Sequence, residues 1–188
     1  MTKIVYVDMD GVLVDFESGL DKVGKKMRTK YRGREDEIPR IFSLMEPMPG
    51  AIESFKALQT SPKYDAYILS TASWGNSTAW SDKVLWVQHY FGAAESTPAY
   101  KRLILSHQKH LNAGAILIDD RKKNGADRFE GRLIRFGAKR YPDWRAVRKE
   151  RGLKLAQWST AQPEMSDPRA ILNLDTEFLL HRGWRIGQ

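Results

Sequence analysis

Two aspartates separated by one residue, in Asp8-Met9-Asp10-Gly11, close an apolar, β-branched run. Carboxylates at that spacing reach one pocket if the backbone turns between them, and Gly11 permits the turn. One can then attack or ligate while the other moves a proton, with a nearby cation or phosphate offsetting their repulsion. Ser70-Thr71 follows a second apolar run, Tyr64 to Leu69, where hydroxyls either donate to phosphate oxygens or cap a helix. Asp119-Asp120 follows a third, Ala115 to Ile118; adjacent aspartates point to different sides, so one can take a metal while the other holds a loop or a basic partner such as Arg121. Lys109 lies in the connection before that run. Taken singly, each has an ordinary explanation as an acidic turn, a helix cap or a solvated lysine. Their order says more. Acidic pair, hydroxyl, lysine and acidic pair bring oxygen ligands, a cation and phosphate donors to one crevice, the makings of a Mg²⁺-dependent phosphoryl-transfer site.

The elements that must position these residues follow from periodicity. Lys3 to Asp8 reads as a strand buried on both faces, as do the second and third runs, with weaker strands at Arg102 to Leu105 and Arg132 to Phe136. Helical patterns lie between them: Gly50 to Gln59 after Pro49, Ser81 to Phe91 closed by Gly92, and a short helix at Asp143 to Arg151. This alternation predicts a doubly wound, Rossmann-like α/β fold with a parallel sheet, whose ligands collect beyond the strand carboxyl ends. The strand pattern stops over residues 16–45, which read as a helical insertion into a core formed by 1–15 and 46–154. Residues 155–188 read as an extension: an irregular linker, then a helix opened by Asp167-Pro168.

Composition limits the chemistry further. The 188-residue chain has no cysteine and only four scattered histidines, which excludes disulfides and thiolate zinc sites and leaves oxygen as the metal donor. Its amino-terminal apolar stretch is too short and too charged for a signal peptide or a membrane span, so a cytoplasmic protein without membrane partners is expected. The net charge of +8 is concentrated in residues 101–154, where sixteen Lys and Arg face six Asp and Glu. That half attracts anions, with nucleic acid as a less favoured partner than a phosphate-bearing small molecule. His107 and His110, and the cluster Arg145, Arg148, Lys149 and Arg151, read as surface groups, and Trp158 and Trp184 as anchors of the tail. Oligomeric state is not encoded in any of these features.

The four motifs, DMDGV at 8–12, Ser70, Lys109 and Asp119-Asp120, match in order those of the haloacid dehalogenase superfamily, which the chain resembles over roughly residues 3–150. With VDMDGVLVDFE, EPMPGA at 46–51, LIDDR at 117–121 and RFGAKRYPDW at 135–144, it resembles the 5′(3′)-deoxyribonucleotidase family. The resemblance implies a two-step phosphomonoester hydrolysis of a nucleoside monophosphate, a deoxyribonucleoside 5′-monophosphate in particular, through an aspartyl-phosphate. Asp8 would be the nucleophile and Asp10 the acid and then the base. Mg²⁺ would sit on the Asp8 carboxylate, the Asp10 backbone carbonyl and Asp119. Ser70 and Lys109 would bind the phosphoryl group, Asp120 would orient the site, and Thr71 and Arg121 would be secondary phosphate or loop contacts.

The resemblance also implies that residues 16–45 form a cap selecting the substrate, with Phe16 beside the base. This cap contains no Trp and only Tyr31 and Phe42 as further aromatics, so Trp74 after the second motif is the other candidate for stacking. The rival expectations are a phosphatase for another small phosphoester or a nucleic-acid terminus, and a non-catalytic nucleic-acid-binding module. Retention of both Asp8 and Asp10 weighs against the last. An aromatic-poor cap predicts blunt base selection: kcat/KM for thymidine, deoxyuridine, deoxyguanosine and deoxyadenosine monophosphates should stay within about a hundredfold, roughly 2.7 kcal/mol. A sharper preference for one base would show that the cap reads bases through other residues.

Overall fold

A run of alternating Val and Tyr, Lys3–Val7, forms strand β1 at the centre of a five-stranded sheet, and the rest of the fold is built outward from it. In chain order, a two-residue β2 (Val14–Asp15) leads into helices α1 (Phe16–Asp21) and α2 (Lys25–Lys30) and then β3 (Glu46–Pro47). Helix α3 (Ala51–Thr60), β4 (Tyr64–Ser70), α4 (Ala79–Phe91), β5 (Leu103–Leu105), β6 (Ile116–Asp119), β7 (Arg132–Arg135) and α5 (Trp144–Arg151) follow. The computed structural model describes residues 1–153; the 155–167 linker, the helix opened by Asp167-Pro168, and Trp158 and Trp184 lie outside the described residues.

The sheet order is β5-β4-β1-β6-β7 and every pair is parallel. From β1 the chain moves outward to β4 and β5, then returns to β6 on the other side of β1. The direction of winding reverses there, which opens a crevice beyond the carboxyl ends of β1 and β6. The expected α/β parallel-sheet fold is therefore the one adopted.

Alternate residues of the strands feed two cores. Val5, Val7, Ile68, Ile118 and Ile134 join Phe55, Leu58, Trp86, Phe91 and Trp144 from the helices. Tyr6, Leu69 and Leu117 point the other way and meet Ala126 and Phe129. On that second side the described connections are 3-10 turns, Lys109–Leu111 and Ala126–Arg128, because their residues are too few and too rich in Asn and Gly to complete a helix.

Two interactions fix the loop after β1. The indole of Trp144, buried in α5 against Phe136, donates to the Val12 carbonyl at 2.8 Å. Asp8 N–H donates to the Ile118 carbonyl at 2.9 Å. Residues 16–45 leave and rejoin this region through the antiparallel pair β2–β3, where Val14 faces Pro47 and Asp15 faces Glu46. Asp15 caps α1 by accepting from Glu17 and Ser18 N–H, while Ser18 Oγ donates to the Asp15 carbonyl and accepts from Glu46 N–H.

Arg148 departs from the solvated face expected for it. Half-buried, it donates to Ser54 Oγ at 2.6 Å and the Gly50 carbonyl at 3.3 Å, tying α5 to the start of α3, while Arg145 and Lys149 are exposed. The long guanidinium stem lets a charge on an amphipathic helix cross to a neighbour. Trp144→Phe keeps the ring but leaves the buried Val12 carbonyl without its donor, so urea unfolding should report a loss of about 1–3 kcal/mol.

Candidate active site

The β1 and β6 strand ends place Asp8 and Asp119 side by side, 3% and 1% exposed. The chain turns immediately after Asp8, with the Val12, Leu13 and Val14 N–H groups all donating to the Met9 carbonyl. Gly11, at φ +73°, makes that turn, and a Cβ there would sit 2.6 Å from Asp120 Oδ2. Glycine is thus needed both for its left-handed backbone and for the close approach of Asp120. One Asp8 oxygen accepts from Met9 N–H at 2.8 Å and one Asp119 oxygen from Arg121 N–H at 2.8 Å.

Lys109, which alone looked like a surface lysine, is buried on its 3-10 turn. Its Nζ lies 2.9 Å from Asp8 Oδ2 and 2.6 Å from Asp119 Oδ2. Burial works to lower the Lys109 pKa, but Asp8 and Asp119 outweigh it and hold the ammonium above its ordinary value. Burial and the Asp8 charge raise Asp119 against the pull of Lys109. Asp120, also raised chiefly by burial, reaches about 6.

Carboxylate oxygens of Asp8, Asp119 and Asp120 all lie within 4.8 Å of one another. Three hard oxygen donors in a partly dry crevice fit a divalent cation, whose charge would relieve their crowding. Asp120 joins this cluster, whereas the sequence motif gave it a supporting position.

Asp10 turns elsewhere. Its two oxygens accept from Lys83 Nζ, each at 2.8 Å, and the same ammonium donates to Ser70 Oγ at 3.0 Å. Burial raises the Asp10 pKa, against the lowering effect of Lys83. Ser70 is fully buried at the end of β4. Lys83 was missed in the sequence because it lies mid-helix, thirteen residues beyond Ser70. A signal was present: Ala79, Lys83, Trp86 and Val87 share the apolar stripe of α4, so a lysine occupies a core position.

The pocket between these groups is completed by Thr71, Arg121, Lys123 and Asn124. Thr71 is a loop contact, its hydroxyl donating to the Ser106 carbonyl at 2.9 Å. The Arg121 guanidinium lies 3.4 Å from Asp120 and is half-exposed. A larger open groove on residues 20–35, lined by Lys25, Arg28 and Arg32 among others, shares no residue with the acidic cluster.

The aromatic candidates are spread out. Phe16 is half-buried, its ring 6.2 Å from that of Phe42 at a steep angle. Phe42 is buried, and Lys83 Nζ lies 4.3 Å from its centroid. Trp74 is 86% exposed, near His107 at 5.8 Å between centroids, with Trp80 on another side of the imidazole at 5.7 Å. His107 and His110 are half-buried and not surface groups as expected: His107 Nε2 bonds the Ala72 carbonyl at 2.8 Å, and the His110 ring closes on Gly125.

Residues 31–162 match the family described as 5′ nucleotidase, deoxy (Pyrimidine), cytosolic type C protein. The chain belongs to this family. A putative 5′(3′)-deoxyribonucleotidase of Vibrio phage KVP40 is 54% identical over 144 residues, covering 77% of this chain and 81% of the phage protein. One from Bordetella bronchiseptica is 32% identical over 142 residues, covering 63% and 74%. The human cytosolic-type 5′(3′)-deoxyribonucleotidase is 30% identical over 145, covering 62% and 70%. Family membership fits the acidic cluster and Lys109. Among the described residues no helix is long and apolar enough to cross a membrane.

The raised Asp120 pKa sets a pH dependence. A folded carboxyl that releases its proton later than the unfolded one contributes stability below about pH 4 that is lost as pH rises to about 6. A cation on the cluster must displace that proton. The rise in Tm on adding Mg²⁺ should therefore be larger at pH 7 than at pH 5, and Asp119→Ala should remove most of it at both.

Proposed function

We propose that this chain is a Mg²⁺-dependent 5′(3′)-deoxyribonucleotidase, hydrolysing the phosphomonoester of deoxyribonucleoside monophosphates through an aspartyl-phosphate on Asp8. The observation that carries this reading is the convergence of Asp8, Asp10, Ser70, Lys109 and Asp119 at adjacent carboxyl ends of β1, β4 and β6. The names of the phage, bacterial and human relatives support the substrate class.

In the first step an Asp8 oxygen attacks phosphorus as the bond to the leaving oxygen breaks, and Asp10 gives that oxygen its proton. A raised Asp10 pKa suits this role, because a stronger acid would have lost its proton before the substrate arrived. In the second, water attacks phosphorus, Asp10 takes its proton and the carboxylate of Asp8 leaves. Lys109, held charged by its two aspartates, offsets repulsion between Asp8 and the phosphate dianion and, with Ser70, binds phosphoryl oxygens. Asp8, Asp119 and the Asp10 carbonyl, with Asp120 beside them, would hold a divalent cation, which would supply positive charge against the phosphoryl oxygens as negative charge builds there. Asp120 keeps the cluster oriented beside Gly11.

Residues 16–45 act as the substrate-selecting cap on the core of 1–15 and 46–154, with Phe16 and Trp74 as the stacking groups. Trp74 is free to stack because nothing described packs over most of its ring. The lack of cysteine and the substrate class fit a reducing, cytoplasmic compartment.

A phosphate-release screen over nucleoside monophosphates, sugar phosphates and a 5′-phosphorylated oligonucleotide, with Mg²⁺ and with chelator, tests the substrate class. Asp8→Asn and Asp10→Asn should each lower turnover by at least about a hundredfold while circular dichroism stays that of the parent. Near-parental turnover in either variant would exclude this mechanism.

A further inference from the structure

Among the described residues Lys83 is the largest charged side chain to be fully buried, and its surroundings fill every donor it has. Two N–H groups go to the Asp10 oxygens and one to Ser70 Oγ, the full complement of an ammonium. The remaining approach is taken by the Phe42 ring, which belongs to the 16–45 insertion and lies on the ammonium at 4.3 Å. Phe42 is itself held against α4, because Arg40 pairs with Asp82 at 2.9 Å and Trp86 Nε1 donates to the Met45 carbonyl at 2.9 Å.

Core stability does not call for this arrangement. An apolar side chain of the same length would fill the stripe between Ala79 and Trp86 without the desolvation a buried ion pair costs. What the lysine adds is geometric: a carboxylate gripped at both oxygens by one ammonium cannot swing.

We propose that Lys83, roofed by Phe42, is the positioning residue that fixes the Asp10 carboxylate for its two proton transfers. The inference rests on the proposed hydrolysis and separates its steps. A sugar hydroxyl leaves only with a proton, so both steps on a nucleotide need Asp10. p-Nitrophenolate leaves without one, so with that substrate only hydrolysis of the aspartyl-phosphate needs it.

Lys83→Met removes the ammonium and keeps the chain length. Its kcat on a deoxyribonucleoside monophosphate should fall about a hundredfold with KM within about threefold of the parent. On p-nitrophenyl phosphate, rapid mixing should show a burst of close to one nitrophenolate per enzyme, then slow turnover, with no burst of inorganic phosphate. A purely structural role would slow both steps together and give no burst; a purely phosphate-binding role would raise KM. Either result, or parental kinetics, overturns the proposal. Parental protein inactive on both substrates with Mg²⁺ would instead overturn the functional reading, and this inference with it. Phe42→Leu, which leaves Lys83 in place, decides the matter if Lys83→Met does not fold. Its kcat should fall about tenfold at unchanged KM, and an unchanged kcat overturns the proposal.

Discussion

Four aspartates, Asp8, Asp10, Asp119 and Asp120, share one crevice, and two unit charges 4 Å apart in such surroundings repel by about 4 kcal/mol. The surrounding structure is arranged to tolerate this. Lys109 stands between Asp8 and Asp119, Lys83 faces Asp10, and Arg121 faces Asp120. With all of them ionised the count is four negative against three positive, and Lys123 in the pocket lining brings the sum to zero. A dication and a phosphate dianion can then enter together without changing that sum. Each cation comes from a different part of the chain: Lys83 from α4, Lys109 from the 3-10 turn before β6, Arg121 from the loop after it. The balance forms only once the whole sheet is wound.

That dependence explains how far the sequence could be read. Residues next to strands carry their position in the local pattern, so Asp8, Ser70 and Asp119 could be placed from the apolar runs that precede them. The parallel sheet and its main helices were legible for the same reason, since each is a periodic run of its own. Lys109 was legible only through the order of motifs, because nothing in its own neighbourhood distinguishes it from a solvated lysine. Lys83 was hidden by its type: a lysine on a helix is taken as exposed, although its spacing from Ala79 and Trp86 puts it on the buried stripe. The Gly11 turn could be foreseen as a turn, but not the close approach of Asp120 that it permits.

The insertion at 16–45 was the least legible part, since its short helices and 3-10 turns lack a sustained period. Its first half is charged and largely exposed, and its later part carries the attachments. Asn76 donates to the Asp36 and Ile38 carbonyls, Thr78 accepts from Arg40 N–H, and Met45 receives the indole of Trp86. These are mostly backbone groups on the insertion side, which is why side-chain identity in the sequence gave little sign of them.

The attachment through backbone and through Phe42 divides the insertion by what change would do to it. Between the neck and the α4 contacts, exposed side chains such as Lys25, Lys26 and Arg32 bond neither to Asp10 nor to the mount, whereas Lys22 ties to the Leu44 carbonyl and Glu46 and Arg34 pairs with Glu37. Residues 36–45 are seated on the same helix that carries Lys83, so a shift in that seat reaches the Asp10 carboxylate directly. On the proposed function, the exposed side chains of the outer stretch are therefore open to change as substrates change, while the inner stretch is held by the carboxylate it seats.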